Sequence, residues 1–410
     1  MLNENAINAL PEAICERLEK INTRYLESIG KRIREIGEMK PTDINRAQLI
    51  YQCGMDVDSI TRELANASGK NVKEIQDIFS LIAKENYEYS RPFYEAQGLE
   101  FIPFEENEAL QNYVKAISRQ TVGEYINVTQ NTAFAVFGKD GNVAPLFESN
   151  QGKVATDLHK TYTKVIDEAA TAAQLGYTDY QSVMRQTLKA LADSGIRTID
   201  YATGFSRRAD TAVRQNLLWA IKQCNQETAD MVGEQFGADG YEISYHGHPR
   251  PSHEAMGGKQ YAIGKARTVN GVYYPSFDTV AHLLEDYGCL HFKFSIVLGI
   301  SEPAYDPEQL AAFKAADKEV IEFEGEKYTK YEAGQLQRKI ETAIRTQKDR
   351  ANIAKAAGDD DMRRQAQEKI NHLASKYKKL SEVSGLPTKA ERMSVSGFRR
   401  VKTKAQLKKE

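Results

Sequence analysis

Seven apolar residues near the start of the chain, Ile14, Leu18, Ile21, Tyr25, Ile29, Ile33 and Ile36, follow one another at spacings of three and four. At 3.6 residues per turn that spacing lays them on one stripe, so the segment must be a helix with one buried face. Pro11 suits its first turn, where a backbone N–H would be unpaired in any case. Gly37 and Pro41 end the run. A stripe of this length needs several partner helices. The sequence supplies helical patterns at roughly 43–66, 71–86, 107–120, 151–173, 177–194 and 205–235. Gly176 can stop the fourth of these and Thr178 can cap the fifth.

Strand signals are few. Gly138–Asn142 separates Phe134–Phe137 from Val143–Phe147, which predicts a short hairpin. After residue 237 the texture changes. Glu242–Tyr245 is strand-like, Asn270-Gly271 between β-formers is the strongest hairpin signal, and His291–Leu298 begins with period-two alternation. Residues 238–303 are therefore expected to form a small α+β module. A second hairpin, over 319–329, leads into two long helices. The first carries Leu336, Ile340 and Ile344, and the second Ala366, Ile370, Leu373, Tyr377 and Leu380. Gly358 and Asp359 stand between them as stop and cap. Such a pair serves either docking to a partner or packing within its own domain.

The expected fold is mainly α with a small α+β module. Its parts are a helical N-terminal domain (1–237), the module (238–303), a hairpin plus antiparallel helical pair (304–387) and a basic tail (388–410). With 410 residues, 41% hydrophobic and 27% charged, the chain can bury more than one core. No run of about 18 apolar residues occurs, so no membrane span is expected. Nor does Met1–Asn5 begin a secretion signal. Cys15, Cys53, Cys224 and Cys289 are too scattered for a disulfide framework, which suits a reducing compartment. The net charge of -2 hides an asymmetry: residues 389–410 hold eight Lys and Arg against Glu391 and Glu410. A basic tail of this kind is expected to be solvated, and it could meet phosphate or an acidic surface.

Three of the seven histidines fall within eight residues, His246, His248 and His253, and His291 recurs beside Cys289. On an extended strand residues two apart share a side, so His246 would pair with His248 and Cys289 with His291. Two such pairs on neighbouring strands would offer the donor set that zinc accepts. The metal-ligand candidates are thus His246, His248, His253, Cys289 and His291. The competing reading is a hydrogen-bonded polar core in which Arg250 and His253 bond backbone carbonyls. No catalytic constellation stands out. Ser252 adjoins His253, but neighbours on a turn rarely align as nucleophile and base, and Gly257-Gly258-Lys259 lacks the rest of a phosphate-binding loop. Arg207, Arg208 and Arg214, near Trp219, are expected to form a solvated helix face, with an acidic partner or DNA backbone as the alternative.

Gly247–His253, Gly258–Tyr261, Gly288–His291 and Gly299–Tyr305, in this order, resemble the phage minor capsid protein 2 family, which is related to the Mu F-type head morphogenesis proteins. The resemblance extends over about residues 45–400. It implies a structural, non-enzymatic protein of a tailed phage or prophage head, associated with the portal, the capsid subunits and packaged DNA. The implied location is the virion, with assembly in the host cytoplasm. Leu290 stands where the family's Cys-Arg-His triplet has arginine. The rival from another class is a metal-dependent hydrolase or nuclease using His248, His253, Cys289 and His291, with Glu254 as base.

Overall fold

The computed structural model describes residues 4–403 apart from 131, 134–135, 138–142, 145–153, 156–157, 177–178, 200–205 and 287. The chain is mainly helical. The helices are α1 Glu4–Ala9, α2 Glu12–Glu38, α3 Arg46–Tyr89, α4 Arg91–Gln97, α5 Glu108–Gln130, α6 Leu158–Gln174, α7 Tyr180–Ser194, α8 Ala209–Gln235, α9 Ala281–Leu284, α10 Pro307–Asp317, α11 Lys330–Ala357 and α12 Asp360–Ser384. The strands are β1 Thr132–Ala133, β2 Val136–Phe137, β3 Val143–Ala144, β4 Val154–Ala155, β5 Arg197–Ile199, β6 Ser206–Arg208, β7 Gly240–Ile243, β8 Gln260–Ala262, β9 Arg267–Val269, β10 Val272–Tyr274, β11 Lys293–Ile296, β12 Val320–Phe323 and β13 Glu326–Thr329. They form five small sheets among the described residues.

Two compact units share the chain. The first comprises Met1–Pro11, Lys73–Gly123 and Gln215–Gln335; the second comprises Glu12–Val72, Glu124–Arg214 and Leu336–Glu410. Four of the five unit boundaries fall within helices, α3, α5, α8 and α11, and the fifth between α1 and α2.

All seven residues of the predicted stripe are buried on α2. In the second unit Ile21, Tyr25, Ile29, Ile33 and Ile36 share a core with Leu49, Cys53, Val57 and Ile60 of α3, Tyr162 and Val165 of α6, Leu188 and Leu191 of α7, and Ile353, Ala354 and Ala357 of α11. Gly30 allows α11 its close approach: a Cβ there would lie 2.8 Å from the Ile353 carbonyl oxygen and 2.9 Å from Ala356 Cβ. The α11–α12 turn is built as the sequence indicates. Gly358 has φ 72°, and the Asp359 carboxylate accepts from Met362 N at 2.9 Å. Asp359 also receives Arg185 Nε and Nη2 at 2.7 and 2.8 Å, a two-pronged ion pair to α7. Gln337 donates to Ser381 Oγ at 2.8 Å and Tyr377 to Glu341 at 2.8 Å, the register of an antiparallel pair.

Several expectations need correction. Residues 46–89 form one helix where two were expected, with Gly69 inside it. Thr178 lies outside the described residues, and Asp179 caps α7 by accepting from Ser182 N at 3.2 Å. The segment 205–235 opens as strand β6 before α8 begins. Arg207 and Arg208 are therefore on a strand, and only Arg214 is on the helix. These arginines do not make a solvated face. Arg208 reaches buried Asp349 at 2.6 Å and Asp210 at 3.4 Å, while Arg214 pairs with Glu12 at 2.9 Å. Burial alone would raise the Asp210 carboxyl, but Arg345 and Arg208 outweigh it and hold it below the usual carboxylate range.

The tail is also less free than expected over its described part. Ser396 O accepts from Asn352 Nδ2 at 2.9 Å, Ser396 N donates to Glu19 at 3.2 Å, and Val401 N donates to Gln367 at 3.1 Å. Lys348 Nζ donates to Met393 O at 2.6 Å. Residues 393–401 thus lie along α2, α11 and α12, with Arg399, Arg400 and Lys402 exposed. The turn of the predicted 134–147 hairpin lies outside the described residues, but β2 and β3 pair antiparallel as Val136↔Ala144 and Phe137↔Val143.

Two substitutions test this packing. Gly to Ala inside a helix ordinarily gains up to about 1 kcal/mol. Gly30→Ala should instead lower the denaturant midpoint, because the new methyl meets backbone that cannot step aside. Asp349→Ala should cost about 3–5 kcal/mol by leaving Arg208 buried without its partner, measured by equilibrium unfolding.

Candidate functional site

The first unit contains the sheet that positions the His/Cys residues. Its order is β11-β7-β8, antiparallel throughout, with Lys293↔Ile243 and Gly240↔Ala262 among its pairs. The Asn270-Gly271 turn joins β9 to β10 with φ of 48° and 82°, the two left-handed residues that a tight hairpin turn requires.

Ladder pairing continues one residue past β7, where Ser244 N donates to Phe292 O at 2.7 Å. It then stops. Tyr245 N donates to the Tyr305 hydroxyl at 2.9 Å, and His248 adopts φ 59° just before Pro249. His246 and His248 are consequently not the side-by-side strand pair that the i, i+2 spacing suggests. His248 turns to Asp317 at the end of α10: its backbone N donates to Oδ1 at 2.9 Å, and its Nδ1 lies 2.9 Å from the same oxygen. His246 stays close to the cluster, with its ring centroid 4.2 Å from that of His291.

Three of the five candidates come together. His253 ends a 3-10 turn at Pro251–His253, and Cys289 and His291 lie in the coil leading into β11. One donor atom from each falls within 4.8 Å of the other two. All three are buried, at 1%, 5% and 0% exposure. Cys289 Sγ and His291 Nδ1 are 3.6 Å apart, and His291 Nε2 has no hydrogen-bond partner. Burial, with His246, His253 and Lys222 nearby, pushes the His291 pKa down to about 3. His253 Nε2 lies 2.9 Å from Asp286 Oδ2, and this hydrogen bond lowers the Asp286 carboxyl. Gly257 makes room for the site: a Cβ there would lie 3.2 Å from His291 Nε2.

Lys222 on α8 has no signal in the sequence, yet it anchors the same corner. Its buried ammonium donates to the Leu284 and Cys289 carbonyls at 3.1 Å each. Burial pushes its pKa down. Asp286 and Asp317 were equally hidden, because their partners are 33 and 69 residues away.

Two of the four ordered motifs, Gly258–Tyr261 and Gly299–Tyr305, meet at one buried carboxylate. Glu242, 2% exposed, accepts from Gln260 Nε2 at 2.9 Å and from Ala304 N at 2.9 Å. Gly258 N donates to Ile243 O and Ile243 N to Lys259 O, both at 2.9 Å. Ser301 Oγ accepts from Val297 N at 3.0 Å. The Gly-Lys-Gln-Tyr and Ser-Glu-Pro-Ala-Tyr stretches thus close the module onto β7.

A family model described as Phage minor capsid protein 2 matches residues 2–381. The chain belongs to that family. This phage minor capsid protein matches no curated protein and no solved structure. Among the described residues, no helix is long and apolar enough to cross a membrane. The hydrolase alternative has little support in the minor capsid protein's geometry. His248 is held by Asp317, and the candidate base Glu254 pairs with Lys318 at 3.3 Å. The clustered donors are sealed from solvent, where a catalytic metal keeps an open position.

Glu242→Ala should destabilise the module by about 2–3 kcal/mol, because it leaves the Ala304 N–H without its charged acceptor. Faster hydrogen exchange at the Ala304 amide is the local readout.

Proposed function

We propose that this minor capsid protein is a low-copy structural component of a tailed phage or prophage head. It docks on the portal and neighbouring capsid subunits and approaches packaged DNA through its basic C-terminal segment. Assembly takes place in the host cytoplasm and the product resides in the virion. The observation that carries the structural reading is the sealing of the only donor cluster of this kind among the described residues, at His253, Cys289 and His291. A protein whose soft ligands cannot meet substrate uses them for shape. Exposed Arg399, Arg400 and Lys402 support the DNA contact, since phosphate attracts cations without reading sequence.

Co-expression with the portal protein of the same phage should yield a complex that co-purifies from assembling heads. Absence of that complex would remove the portal role. Replacing Arg399, Arg400 and Lys402 by Glu should weaken DNA retention and flatten its dependence on salt by about one log unit per lost phosphate contact. Stoichiometric zinc together with hydrolysis that His248→Ala abolishes would establish the enzyme reading instead.

A further inference from the structure

We propose that His253, Cys289 and His291 bind one zinc-class divalent cation, which locks the 251–253 turn to the segment entering β11. This inference is independent of the portal role.

Three observations support it. In a zinc tetrahedron with Zn–S near 2.3 Å and Zn–N near 2.05 Å, the sulfur and nitrogen lie about 3.5 Å apart. Cys289 Sγ and His291 Nδ1 are 3.6 Å apart, the separation expected of two ligands of one ion and one that a thiol hydrogen bond also spans. His291 is fully buried and its Nε2 has no partner, so the ring is poorly satisfied by protein atoms alone. A buried polar atom left unpaired is costly, and the only protein contact at the other ring nitrogen is the Cys289 sulfur, the pairing that one ion would bridge. Finally, Asp286 holds His253 Nε2 at 2.9 Å. A carboxylate behind a histidine fixes its ring and raises its basicity, the common outer arrangement of zinc sites.

His246, whose ring lies beside that of His291, is the nearest further donor. Its Nδ1 contacts the Gly247 carbonyl oxygen at 3.1 Å, and the ligands that the geometry assigns are His253, Cys289 and His291. The thiol proton leaves to solvent as the thiolate forms. Lys222, bonded to the Cys289 carbonyl, adds positive charge beside that thiolate. His248 lies outside the three-donor group, with its backbone N bonded to Asp317 Oδ1 and its Nδ1 2.9 Å from that oxygen.

The test uses the full chain, stripped by a chelator and titrated with cobalt(II). The expected result is one equivalent bound, with a thiolate-to-cobalt charge-transfer absorption that zinc abolishes by displacement. Cys289→Ser should lose that absorption, and His248→Ala should keep it. If Cys289→Ser does not fold, Asp286→Asn carries the comparison, since its carboxylate is partly exposed. It should bind zinc about 10–100-fold more weakly. No charge-transfer band in the wild-type chain, equal binding by Cys289→Ser, or unchanged affinity in Asp286→Asn would each overturn the assignment.

Discussion

The second unit depends on one face of α2. From Ile14 to Ile36 the stripe is buried at every position, and each such side chain contributes about 1.5–3 kcal/mol when withdrawn from water. Few stretches of the chain offer comparable apolar area in so regular an order. The surrounding helices are therefore constrained to present small or complementary surfaces to it. Gly30 shows how tight the fit is, because α11 comes so close that not even a methyl can intervene. Polar groups then fix what apolar contact leaves free. Arg185 to Asp359, Arg208 to Asp349 and Arg350 to Asp193 join segments more than a hundred residues apart. Apolar packing tolerates sliding, whereas a two-pronged arginine–carboxylate pair specifies a register.

Much of this was readable from sequence, and the readable part has a common character. The α2 stripe, the Gly358–Asp359 stop and cap, and the Asn270-Gly271 turn depend on residues within a few positions of each other. Period and turn chemistry are local, so one chain suffices to see them. The misread parts depend on distant partners. Arg208 resembled a surface charge because Asp349 lies 141 residues further on. The strand expected to carry both His246 and His248 ends early because Tyr305, 60 residues downstream, takes the Tyr245 amide. The basic tail gave no hint that Glu19, Asn352 and Gln367 would receive it.

The candidate site was partly legible in the same sense. Scarce histidines beside a cysteine marked the location, and His253, Cys289 and His291 do converge. Spacing could not say which of the five would meet. His248 leaves because its backbone turns left-handed ahead of Pro249 and finds Asp317. Lys222 enters from α8 with no motif to announce it, since a buried lysine looks like any other lysine until its carbonyl partners are known.

Residues that identify a family are often assumed to act on a substrate. Here Gln260, Ala304 and Tyr305 act on the chain itself: the first two satisfy the buried Glu242 carboxylate, and the third takes over the Tyr245 amide where β7 leaves the ladder. Losing the Gln260 or Tyr305 side chain would leave a polar group unpaired in a small core, where the energetic penalty is greatest relative to the total. A module of this size cannot rely on apolar burial alone. Gln260 and Tyr305 are accounted for by this closure of the module.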